Sequence, residues 1–176
     1  GKGAKGLTMK DEDMVKAIVF AETHDTLLLF TNEGRVFEKK AFEFPESSRQ
    51  AKGTAIVNLV NLRPQERVQS ILVVDLEKDK DKFITLATQQ GLVKKSQVDL
   101  YNNIRTSGII AITLNKNDEL VRGQLTTGQD EILLITKHGK SIRFSEEEVK
   151  DSNRDTKGVK GISLKKDDYV VGMETF

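Results

Sequence analysis

One unit of sequence recurs three times in this chain of 176 residues. An apolar run ends in a tight turn at glycine, a basic stretch follows, an Arg stands three or four residues before a second glycine, and another apolar run closes the unit. The copies run from Thr26 to Leu59, from Phe83 to Leu114 and from Ile132 to Leu164. Their first glycines are Gly34, Gly91 and Gly139, and their second are Gly53, Gly108 and Gly158. A period of about 50 residues belongs to propeller-like blades, which cannot bury their apolar faces alone and must stack on one another. The expected fold class is therefore all-β, with about three propeller-like blades near residues 15–75, 76–125 and 126–176.

Local signals agree with strands. Ala17 to Ala21, Thr26 to Phe30, Val68 to Val74, Phe83 to Thr88, Ile109 to Leu114, Glu131 to Thr136 and Val170 to Met173 are short, rich in β-branched residues and bounded by turn chemistry. Asn32-Glu33-Gly34, Gln89-Gln90-Gly91 and Lys137-His138-Gly139 place glycine where a hairpin turn wants a positive φ. Runs that are apolar throughout, such as Ile132 to Ile135, predict strands covered on both faces. Helix is minor: Ser145 with Glu148 fits a capping box over a turn or two. With two prolines and no Gly/Ser-rich linker, the chain reads as one domain.

Composition narrows the chemistry. Hydrophobic residues make up 37% and charged residues 31%, which suits thin stacked sheets better than one thick core. The absence of cysteine removes disulfides and thiolate metal sites and fits a reducing compartment, and no apolar run reaches the roughly 20 residues that span a bilayer. The expectation is a soluble, cytoplasmic protein. Net charge is only +1, but basic residues gather between the paired glycines: Arg35, Lys39, Lys40, Arg49 and Lys52, then Lys94, Lys95 and Arg105, then Lys140, Arg143, Lys150, Arg154 and Lys157. Acidic residues gather in the connections at Asp75 to Asp81, Asp118-Glu119 and Asp167-Asp168. Stacked in register, the basic parts would form a track on one perimeter.

Catalytic motifs fail on context. Gly1-Lys2-Gly3-Ala4-Lys5-Gly6 spells a dinucleotide fingerprint, but no strand precedes it. Gly139-Lys140-Ser141 lacks the first glycine of a P-loop, since Leu134 stands there. His24 and His138 read as exposed turn residues outside any metal set. Asp11-Glu12-Asp13 and Glu146-Glu147-Glu148 read as solvated loop charges, and Ser47, Ser48 and Ser107 as turn residues. The Arg-plus-Gly element, Arg49 to Gly53, Arg105 to Gly108 and Arg154 to Gly158, admits two readings. It grips phosphates with guanidinium and main-chain N–H together, or it is a bend whose Arg caps a neighbouring strand. Aromatics do not interleave the basic series and there is no Trp, which favours duplex backbone over stacked single strands.

At Gly34-Arg35-Val36 and through Pro45 to Leu59 (PESSRQAKGTAIVNL) the chain resembles the C-terminal domains of the gyrase A family of DNA gyrases. The resemblance continues at Ala21 to Asp25, Gly91 to Lys95, Leu120 to Leu125 and Gly158 to Ile162. It implies a β-pinwheel, a propeller-like ring whose blades exchange strands and whose basic rim bends duplex DNA in support of negative supercoiling. It also implies a partial domain of four-stranded blades, with 1–14 as the tail of a preceding blade. Six blades are usual, and of the signature box Gln-Arg-Arg-Gly-Gly-Lys-Gly only Gly1-Lys2-Gly3 is present. The implied partners are duplex DNA and, in an A2B2 holoenzyme, the gyrase A N-terminal core and gyrase B. ATP, magnesium and the catalytic residues would lie in other regions, with no cofactor here. The fragment is expected to be a monomer, or a dimer paired through open strand edges. The expected DNA contacts are Lys2, Lys5, Arg35, Lys39, Lys40, Arg49, Lys52, Lys94, Lys95, Arg105, Lys140, Arg143, Arg154 and Lys157, with Arg49, Arg105 and Arg154 foremost because repetition makes them equivalent. A topoisomerase IV C-terminal domain and a protein-interaction propeller are the alternatives.

Overall fold

The structure, a computed structural model, describes residues 21–22, 24–43 and 60–176. The part of the first repeat from Pro45 to Leu59 and all of the strand expected at Ala17 to Ala21 except Ala21, which is in no strand, lie outside them. Each repeat opens with an antiparallel hairpin: β1 (Thr26–Thr31) with β2 (Arg35–Lys40), β4 (Phe83–Thr88) with β5 (Leu92–Gln97), and β8 (Glu131–Thr136) with β9 (Ser141–Ser145). The turn glycines have φ of +81° (Gly34), +90° (Gly91) and +87° (Gly139), as their positions predict. A threonine closes each turn. The Gly34 amide donates to the Thr31 carbonyl at 3.0 Å, and the Thr31 hydroxyl accepts from the Arg35 amide at 3.2 Å. Thr88 and Thr136 do the same for Leu92 and Lys140.

The third strand of each blade pairs antiparallel on the other side of the first: β3 (Val68–Val74) on β1, β7 (Leu120–Thr126) on β4, and β11 (Val170–Thr175) on β8. These inner strands pack side by side, β3 against β7 and β7 against β11. The Ser70 hydroxyl accepts from the Gly123 amide at 3.1 Å across the first of those contacts.

The fourth strand is borrowed from the following repeat. β6 (Ile109–Ile110) pairs with β2, Val36 opposite Ile109, giving the order β3-β1-β2-β6. β10 (Val159–Lys160) pairs with β5, giving β10-β5-β4-β7. Beyond each borrowed strand the chain docks on the turn glycine. The Gly34 carbonyl accepts from the amides of Ala111 (2.7 Å) and Ile112 (3.2 Å), and the Gly91 carbonyl from those of Gly161 (2.8 Å) and Ile162 (3.3 Å). The third sheet, β11-β8-β9, has three strands among the described residues.

The core sits between blades. Leu28, Phe30 and Val36 of the first blade pack on Ile84, Leu86 and Tyr101 of the second, with Ala111 and Ile112 of the borrowed segment among them. Ala87 and Val93 pack on Ile132, Leu134 and Met173 in the next interface. β1 is accordingly buried at all six positions. β8, expected to be covered on both faces, instead alternates between buried and half-buried, because the outer face of the third blade meets no neighbour among the described residues.

A short 3-10 turn follows each hairpin, at Ala41–Glu43, Val98–Tyr101 and Glu146–Glu148. The last is the expected Ser145-capped turn, with the Ser145 hydroxyl accepting from the Glu147 amide. Glu146 is not a solvated charge. It is fully buried, and its carboxylate accepts from the Thr126 hydroxyl (2.8 Å) and the amides of Gly128 (2.7 Å) and Asp130 (2.8 Å).

Candidate nucleic-acid interface

The borrowed strands decide which cations face outward. β6 and β10 are the outermost strands of their sheets, and the loops leading into them carry the Arg-plus-Gly element. Arg105 is exposed on the first loop, with no side-chain partner among the described residues. On the second loop Lys157 is exposed, and half-buried Arg154 donates from its guanidinium to the Ile110 carbonyl of β6 at 3.2 Å. The two loops form one surface. Thr113, beyond β6, donates its hydroxyl to the Asp155 carbonyl at 2.6 Å and its amide to the Thr156 carbonyl at 3.1 Å. A strip therefore runs from Arg105 over β6 to Arg154 and Lys157 and on to β10, where exposed Lys160 joins it. Lys160 was missed in the sequence because it lies past the second glycine, outside the basic interval.

Three of the six cations on the second hairpin strands, Arg35, Lys94 and Lys95, turn inward, which corrects three of the expected phosphate contacts. The Arg35 side chain is only 13% exposed; it donates to Glu66 (2.9 and 2.6 Å) and to the carbonyls of Ser107 (2.8 Å) and Asn61 (3.2 Å), and lies over the Phe37 ring. Lys94 is buried and donates to three backbone carbonyls, those of Ala111, Asn153 and Arg154. Lys95 is buried, donates to the Glu146 carbonyl at 3.1 Å and lies over the Phe83 ring. The loop ahead of each borrowed strand lies over the preceding hairpin and encloses these groups.

The remaining expected residues divide. Lys39 and Lys40 are half-buried and line a cleft of about 390 Å³ with Asn102, Asn103 and Thr106, where Glu38 pairs with Lys40 at 2.7 Å. Lys140 is exposed and donates to the Ser163 carbonyl, while exposed Arg143 pairs with Glu131 at 3.2 Å and lies over Phe176. Lys2, Lys5, Arg49 and Lys52 lie outside the described residues. His138 is exposed as expected. His24 is exposed too, but its imidazole stands within 4 Å of carboxylates from Glu22, Asp25 and Asp75. No helix among the described residues is long and apolar enough to cross a membrane.

Repeated hairpins, strand exchange and an axis of inner strands define a β-propeller-like domain of the pinwheel kind. The chain belongs to the family of DNA gyrase C-terminal domains, described as a beta-propeller, which it matches over residues 25–75, 82–126 and 130–176. It is 46% identical to the DNA gyrase A protein of Clostridium acetobutylicum over 161 residues, 92% of this chain and 19% of the relative. The chain thus spans about a fifth of the length of the curated relatives it matches. The crystal structure of the C-terminal domain of DNA topoisomerase IV is similar over 97% of this chain and 57% of that one, with a TM-score of 0.78 and 27% identity. The structure of a DNA gyrase A C-terminal domain is similar over 88% and 49%, with a TM-score of 0.70 and 26% identity.

Proposed function

We propose that this chain binds and bends duplex DNA along its outer strip, without chemistry of its own, as part of an A2B2 type IIA topoisomerase of the gyrase kind that introduces negative supercoils in the cytoplasm. The observation that carries this reading is the segregation of cations. Of the second-strand cations, Arg35, Lys94 and Lys95 are consumed inside the fold, whereas Arg105, Arg154, Lys157 and Lys160 line one surface across two blades. Between residues 150 and 160 that surface has four basic side chains against two acidic ones. Such a surface meets phosphates without reading bases, so sequence preference would arise from the ease of bending. Gyrase A and gyrase B regions elsewhere would supply ATP and magnesium chemistry. The isolated chain would be a monomer, with β9 as an open edge through which two copies could pair. A topoisomerase IV role is the second reading, favoured by the longer structural overlap with that domain.

Fluorescence anisotropy with a duplex of about 40 base pairs, read against salt, tests the proposal. Binding should weaken steeply as salt rises, and Arg105→Ala and Arg154→Ala should each flatten the slope by about one unit. Unchanged slopes would remove both residues from the interface. Binding that ignores salt would point to a protein partner instead.

A further inference from the structure

The third residue after the turn glycine is apolar in two repeats, Phe37 and Ile142, and is Lys94 in the second. Phe37 props the loop ahead of β6 with its ring, against which a Cβ on Gly108 would stand at 2.9 Å. Lys94 meets the equivalent loop with an ammonium. Only 2% exposed, it donates to the carbonyls of Ala111 (2.6 Å), Asn153 (3.3 Å) and Arg154, and no carboxylate pairs with it among the described residues. An ammonium has three protons for three acceptors; a neutral amine has two, and turns its lone pair on the third carbonyl. The acceptors come from two segments, one just past β6 and one just ahead of β10. Lys94 therefore ties successive borrowed segments together beneath the outer strip.

We propose that Lys94 is a positioning residue for that strip: without touching DNA, its ammonium fixes the backbone beneath Arg154 and Lys157 so that both meet phosphates in line with Arg105 and Lys160. This rests on the DNA-binding reading. Titration supports it. Burial, then the charge of Arg154, lowers the Lys94 pKa from 10.5 to about 7, against a smaller opposing pull from Asp155. Of the other titratable groups nearby, Tyr101 is kept neutral by burial and Lys95 is engaged by Glu146. The ammonium, with all three hydrogen bonds, prevails below about pH 7, and above it the amine holds the loop with two. Global stability moves the other way. From about 7 to 10.5 the unfolded chain keeps the proton that the folded chain has lost, so stability rises with pH. A lysine that merely supported the fold would move affinity and stability together.

The test compares this chain with Lys94→Met and Lys94→Arg, from about pH 6 to about pH 8.5 at fixed salt, reading duplex affinity, thermal melting and hydrogen exchange of residues 152–158. The unsubstituted chain should lose affinity roughly fivefold or more across that range while its melting point holds or rises. Lys94→Met should bind at low pH as weakly as the unsubstituted chain does at high pH, show no further pH response and exchange faster at 152–158 without melting earlier. Lys94→Arg, charged throughout, should lose the pH response. Equal affinity and equal pH profiles in the unsubstituted chain and Lys94→Met would overturn the proposal, as would parallel loss of affinity and melting point. Absence of salt-dependent binding in the unsubstituted chain removes the DNA reading and the proposed role with it, whereas equal exchange at 152–158 in a chain that does bind DNA overturns the role of Lys94 alone.

Discussion

Replacing Gly34 by alanine is expected to destabilise this chain by roughly 2–5 kcal/mol, the sum of backbone strain and overpacking, against about 1–2 kcal/mol of backbone strain for the same change at Gly139. Both glycines close equivalent hairpins and both have positive φ, +81° and +87°, so the backbone strain is shared. The surroundings differ. A Cβ on Gly34 would stand 2.6 Å from the Ile112 carbonyl oxygen and 3.2 Å from side-chain carbons of Ile112 and Leu114, whereas at Gly139 nothing lies within 4 Å. No rotamer relieves the clash, because the Cβ position is fixed and the obstacle is backbone. Relief requires undocking the segment whose amides bond the Gly34 carbonyl, which exposes Ala111 and Ile112, now 0% and 2% exposed. Gly91→Ala should fall between, since one of its close neighbours is a movable Ile162 methyl at 2.9 Å. Denaturant unfolding of the three variants measures the differences. Equal losses at Gly34 and Gly139 would mean that the borrowed strand contributes little.

The second large effect is expected at Glu66. Its buried carboxylate accepts from Arg35 at 2.6 and 2.9 Å, from the Thr31 hydroxyl at 2.7 Å and from the Arg63 amide at 3.0 Å. Glu66→Ala leaves the Arg35 guanidinium enclosed without its counter-charge, a defect worth about 3–5 kcal/mol. It also loosens the Ser107 carbonyl that Arg35 holds from the other side. Glu66→Gln keeps the shape and should cost roughly 1–3 kcal/mol. Burial by itself would raise the carboxyl pKa, but the bonds from Arg35, Arg63 and Thr31 outweigh it and hold the group below its ordinary 4.5. As pH falls, the unfolded chain takes up this proton first. The stabilisation is complete well above pH 4.5 and is lost as pH drops through the lower folded value. Thermal melts from about pH 6 to about pH 3 should show a shallower acid limb for Glu66→Gln. An unaltered limb would assign acid sensitivity to other carboxylates.

Much of the blade was legible in the residues. Glycine turns, β-branched runs and the period of about 50 residues located β1, β3, β4 and β8 and the recurrence itself. The second hairpin strands were less so, because RVFEKK and LVKKSQ carry their charges within the strand, and a basic strand reads like a solvated track. Glu146 misled for the same reason: one of three consecutive glutamates is chosen for burial by Thr126, Gly128 and Asp130, which no local pattern reveals. Repetition singled out Arg105 and Arg154, and both lie on the outer strip.

The sequence by itself determined the hairpins, their turns and the fact of repetition, because glycine conformation, β-propensity and periodicity act among residues close along the chain. Only the tertiary structure decided which cations were left for a partner. Arg35 is held by a carbonyl 72 residues further on and Lys94 by one 60 residues further on, both in loops that precede a borrowed strand. Whether a charged side chain meets water or a carbonyl depends on which segment closes over it. In a strand-exchanged fold that segment belongs to the next repeat.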